Sequence, residues 1–143
     1  MKIKDVAEWI RFADDNFYSA QILNKSLRKP IEIICYNCAQ SAEKYLKGFL
    51  ISHDLIPEKT HNLVLLNDLC IKIDNNFKDI EKECFILNKF SVAIRYPHEI
   101  KVTDKDVDYS LNAIEKIKDF EPIKGLINIA EKENKKREQE KER

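Results

Sequence analysis

Apolar residues recur every third or fourth position along most of this chain. From Val6 the pattern runs through Trp9, Ile10, Ala13, Phe17 and Ala20, with Asp14, Asp15 and Asn16 between them, which predicts a first helix from about Lys4 to Ser26. Pro30 suits the first turn of a second, because its missing N–H is one that a helix start leaves unbonded anyway. From there Ile31, Ile34, Cys35, Cys38, Ala42, Tyr45, Leu46 and Phe49 share one face over five turns. That helix is expected to end between Ser52 and Leu55, since Pro57 disfavours helical geometry in the residue before it. Leu63, Leu66, Leu69, Cys70 and Ile73 mark a third helix, and Asp74-Asn75-Asn76 breaks it. Phe77, Ile80, Cys84 and Leu87 mark a fourth.

Beyond Phe90 the pattern lapses until Thr103-Asp104-Lys105-Asp106, where the Thr hydroxyl can cap free backbone amides and the acid at the third helical position supports the same turn. A fifth helix then buries Val107, Leu111, Ile114 and Ile117. Pro122 opens a sixth segment through Ile123, Leu126, Ile127 and Ala130, weakened by Gly125 by about 1 kcal/mol relative to alanine. From Glu131 to Arg143 nothing apolar remains, which predicts a frayed or disordered end; a helix held by Glu and Lys pairs is the other reading. The expectation is an all-α, antiparallel up-and-down bundle of five or six helices over residues 1–122, with a helical extension and charged tail over 123–143.

Composition supports this. With 143 residues the chain fits one domain, and two glycines and four prolines leave few turn signals for a sheet. Lys plus Arg balances Asp plus Glu at 25 each, so any contact with nucleic acid requires a local patch. No apolar run approaches the roughly 18 to 20 residues that span a bilayer, and Asp5 and Glu8 interrupt the place where a signal segment would lie. A cytoplasmic protein without membrane contact is expected, its cysteines kept as thiols that pack like small hydrophobes. Cys35-x-x-Cys38 lacks the second close pair that a zinc site wants, so no metal is expected, and no motif implies a cofactor. Phosphate-loop, nucleophile-elbow and zinc-protease motifs do not occur.

Two short islands carry more. The first is Cys38-Ala39-Gln40-Ser41-Ala42-Glu43-Lys44-Tyr45-Leu46-Lys47, and the second Ile94-Arg95-Tyr96-Pro97-His98. With Trp9, Asp14 and Asp15 on the first helix and Thr60-His61-Asn62-Leu63 before the third, their order resembles a HEPN domain of the Arg-Tyr-Pro loop variety, over about residues 4 to 120. HEPN stands for higher eukaryotes and prokaryotes nucleotide-binding. The resemblance implies a helical bundle forming a symmetric homodimer, a nucleotide or RNA ligand, and a small nucleotidyltransferase as partner in a toxin and antitoxin pair.

On the second helix Gln40, Glu43, Lys44 and Lys47 form a polar stripe away from the core face. The stripe reads either as a solvated surface, with an i,i+4 Glu43–Lys47 pair contributing about 0.3 to 0.5 kcal/mol, or as a groove in which Gln40, Lys44 and Lys47 meet a ligand together with Arg95 and Tyr96. Arg95 can fork onto phosphate and Tyr96 can stack on a base. Alternatively Arg95 pairs with Asp14 or Asp15 and Tyr96 packs inward. Ribonucleases of the family carry Arg followed by His after four to six intervening residues, whereas here only two separate Arg95 from His98. Arg95 and His98 are therefore weak catalytic candidates, and an interaction module without ligand is the competing function. His61 is expected to serve the connection before the third helix.

Overall fold

A computed structural model describes residues 2–91 and 101–142. Among these residues there are six α-helices and no strand: α1 Ile3–Asn24, α2 Ile31–Ser52, α3 Leu63–Ile73, α4 Glu81–Asn88, α5 Asp104–Asp119 and α6 Glu121–Lys141. The all-α antiparallel bundle expected from the periodicity is the fold observed. None of these helices is long and apolar enough to cross a membrane. Arg95, Tyr96, Pro97 and His98 lie outside the described residues, and with them the expected pairing of Arg95 with Asp14 or Asp15.

The helix ends have local causes. α2 stops in a Schellman turn: Leu55 N–H bonds to the Leu50 carbonyl and Asp54 N–H to that of Ile51, with Asp54 in the left-handed region at φ 61°. Asn62, one residue past His61, caps α3 by accepting the Leu65 N–H at 3.1 Å. At the Asp74-Asn75-Asn76 break the Asp74 carboxylate accepts from Asn76 N–H, and the chain continues as a 3-10 turn over Asn75–Ile80. Phe77 and Ile80 are buried from that turn, so α4 starts four residues later than their spacing predicts. At the start of α5 the Asp106 carboxylate accepts from both the backbone N–H and the hydroxyl of Thr103.

The core runs through the middle of the bundle. Ile10, Ile34, Leu46, Leu63, Leu66, Leu87, Ile114, Ile117 and Ile123 are fully covered. Phe77 stacks between Phe49 and Phe120, with ring centres 4.4 and 4.9 Å away. All four cysteines are buried free thiols, and burial pushes each one up, Cys84 to about 12, which keeps them unreactive.

α6 departs from the frayed end predicted for residues beyond Glu131. The helix is continuous to Lys141 and lies antiparallel along α1. Ile123, Leu126 and Ala130 are buried against the bundle. One and two turns further on, Asn134 donates to the Ala7 carbonyl at 3.5 Å and Arg137 pairs with Glu8 at 3.2 Å. The core-facing spacing thus continues past Ala130 in polar residues.

Candidate nucleic-acid interface on the α1–α2 seam

α1 and α2 pack antiparallel along most of their length, and small residues let them approach. Gly48 of α2 faces Ile10 so closely that an added Cβ would sit 3.0 Å from the Ile10 Cδ1 methyl. Further along the seam, the Ser41 hydroxyl donates to the Ala13 carbonyl at 2.8 Å in a fully buried contact. Tyr45, also buried, donates its hydroxyl to Asp14 in a short hydrogen bond. Burial raises the Asp14 carboxyl above the ordinary range, against the lowering effect of the Tyr45 bond and of Lys118 nearby. Burial beside that carboxylate drives the Tyr45 hydroxyl far up, so it stays a donor.

The polar stripe of α2 divides into two halves. Glu43 and Lys47 are not solvated: they are 4 % and 7 % exposed, and Lys47 donates to Glu43 at 3.1 Å. The other Glu43 oxygen meets His61 Nδ1 at 2.9 Å, and since a carboxylate only accepts, that nitrogen carries the proton. His61 thereby ties the connection before α3 back to α2, leaving the capping of α3 to Asn62. Lys47 also lies 5.7 Å from the centre of the Trp9 ring.

Lys44 belongs to the open half. Its ammonium donates to Asn16 Oδ1 at 2.6 Å, while Asn16 donates to Asn37 at 3.0 Å. It stands 5.7 Å over the Phe12 ring, and together with Glu8, Trp9 and Phe12 it lines a cavity of about 270 Å³. Partial burial lowers Lys44 below the usual lysine range; Glu43 and Asp15 act the other way, and Lys47 adds to the lowering. Arg11 stacks 4.5 Å over the Phe12 ring and pairs with Glu8 at 2.9 Å. A larger hollow of about 400 Å³ lies nearer the start of α1, between Lys2, Asp5 and the segment Asp54 to Pro57, but its lining has no aromatic ring.

Of the residues singled out in the sequence, Lys44 reaches the open groove, Lys47 and Glu43 lie beneath it, and Gln40 sits half-buried with its side-chain nitrogen unpartnered among the described residues. Phe12, Arg11 and Asn16 were not legible as site residues. The available signal was an aromatic three residues from Trp9 and off the Ile10, Ala13, Phe17 stripe. Among the described residues no group of three or more His, Cys, Asp or Glu side chains is placed to hold a metal ion. Aromatic faces under cations suit a base or another flat ring carrying negative charge nearby.

Comparison with known proteins agrees with this architecture. The crystal structure of TT1696 from Thermus thermophilus superposes with a TM-score of 0.58 at 19% identity, covering 89% of this chain and 96% of that one. No curated protein matches the chain. The HEPN domain family model matches residues 6–138, from the first turns of α1 almost to the end of α6. The chain belongs to the HEPN domain family.

Proposed function

We propose that this protein binds nucleotides or RNA on the α1–α2 seam, as a cytoplasmic homodimer whose partner is a small nucleotidyltransferase in a toxin and antitoxin pair. The observation that carries the binding assignment is the Lys44 ammonium beside an open aromatic floor, Trp9 and Phe12, with no carboxylate paired to it among the described residues. In this reading the base stacks on Phe12, Lys44 neutralises a phosphate, and Lys47 holds Trp9 in place from beneath. Arg95 and Tyr96 supply the second phosphate and base contacts from the segment after Ser91, and Gln40 offers its amide to a sugar or base. The Arg95 and His98 spacing departs from the ribonuclease pattern, so the proposed activity is binding without cleavage.

The test is a calorimetric titration with a panel of nucleotides and short single-stranded RNAs, with RNA integrity followed on a gel. Lys44→Ala, Phe12→Ala and Arg95→Ala are each expected to weaken binding about tenfold, close to the 1 to 3 kcal/mol of one stacking or phosphate contact. Melting temperatures should stay near that of the parent protein for Lys44→Ala and Phe12→Ala. Equal affinity in all three variants would reject the site.

A protein-interaction module is the second reading, favoured by Phe85 at 74 % and Tyr109 at 58 % exposure on the α4–α5 face. It gains if no nucleotide or RNA in the panel binds.

A further inference from the structure

The amine of Lys44 is set apart from the other lysines of the seam. Lys47 is locked on Glu43 at 3.1 Å, and Lys89, on the α4–α5 side, is held by Asp106 at the same distance. Each of those amines is engaged by a carboxylate. Lys44 instead donates to the neutral amide oxygen of Asn16, and it opens on a cavity walled by Trp9 and Phe12. An amine held at the edge of an apolar, partly desolvated cavity has more of its neutral, nucleophilic form at a given pH than an amine in water.

The groups facing it are few. Burial and Lys47 disfavour its ammonium form, Glu43 and Asp15 favour it, and the net effect is a lowering from the ordinary lysine value. Glu8 lines the same cavity and is held ionised by the hydrogen bond from Arg11, with Arg137 adding to the effect. The two rings beside the amine favour a partly apolar reagent.

We propose that Lys44 is an acylation site for a neutral acyl thioester. The Nζ lone pair attacks the thioester carbonyl carbon, the C–N bond forms, and the C–S bond breaks with its electron pair going to sulfur. The proton displaced from nitrogen ends on the departing thiolate, so the products are an amide and a thiol. Acylation removes the one positive charge that the open seam contributes from α2. That consequence rests on the nucleic-acid reading above, whereas the chemistry at the amine does not.

The experiment is acetylation of the purified full chain with S-acetyl-N-acetylcysteamine, followed lysine by lysine by peptide mass spectrometry across pH 7 to 9. Exposed Lys29, Lys59 and Lys124 serve as internal references. At pH 7.5 Lys44 is expected to react at least about threefold faster than these. Asn16→Asp places a carboxylate at the amine and should remove the advantage. Lys44 reacting no faster than the references, or keeping its lead in Asn16→Asp, would overturn the proposal. If Lys44 is acetylated as expected and the product binds RNA as tightly as before, the acylation site stands and the binding assignment falls.

Discussion

Lys47 and Glu43 lie 3.1 Å apart on successive turns of α2, both almost wholly removed from water, and Glu43 is shared with His61 from the connection before α3. A pair at this spacing on an exposed helix contributes a few tenths of a kcal/mol. Enclosed, the same pair has different energetics. Its desolvation is a large standing cost, and removing one member strands the other in a medium that solvates it poorly.

Lys47→Met is accordingly expected to destabilise the fold by about 3 kcal/mol, at the low end of the cost of breaking a buried ion pair because His61 still satisfies one Glu43 oxygen. The double variant Glu43→Gln with Lys47→Met should recover much of that loss. Urea unfolding of the two single variants and the double closes the cycle. A Lys47→Met protein within about 0.5 kcal/mol of the parent would show that the pair carries no weight.

Asp14 gives a pH signature with a definite sign. Burial raises its folded-state value above the ordinary Asp value, so the folded chain holds this proton more tightly than the unfolded chain does. Its contribution favours folding below the ordinary value of about 4 and is lost as pH rises through the raised value. Asp14→Asn keeps an acceptor for the Tyr45 hydroxyl and removes the titration. The melting temperature of the variant minus that of the parent should therefore climb as pH rises above about 4. A difference that is flat or falls over that range would contradict the assignment.

The two glycines should respond differently to an added side chain. Gly125 on α6 has nothing within 4 Å of an added Cβ, so Gly125→Ala should stabilise by up to about 1 kcal/mol from helix propensity alone. At Gly48 the same gain is opposed by the Ile10 methyl 3.0 Å away, in a core position with no room to yield freely. Gly48→Ala should stay within about 1 kcal/mol of the parent, and Gly48→Leu should lose about 3 kcal/mol by forcing the helices apart. Thermal unfolding separates these outcomes, and a Gly48→Leu protein as stable as the parent would show that close approach at this point is not required.

Much of the bundle was legible because a helix that buries one face must repeat its apolar residues at 3.6-residue intervals. That requirement placed α1, α2, α3 and α5 to within a few residues. It misplaced the start of α4, since a 3-10 turn can bury Phe77 and Ile80 at the same three-residue spacing. It also stopped short on α6. Asn134 and Arg137 occupy core-facing positions there, but their contacts are hydrogen bonds to the Ala7 carbonyl and to Glu8, and hydrophobicity carries no trace of them.

The helical class, the family and the polar stripe of α2 were readable from the residues alone, because each is written in local spacing and residue type. The packing of α1 on α2 splits that stripe into a buried Glu43–Lys47 pair joined by a half-exposed His61, and a half-buried Lys44 that opens on a cavity. A helix's own periodicity says which residues share a face, and it does not say which neighbour covers that face. Here α1 covers it unevenly: Gly48 draws the helices together near Ile10, which puts Trp9 against Lys47, while Phe12 and Asn16 leave Lys44 at the edge of an open cavity.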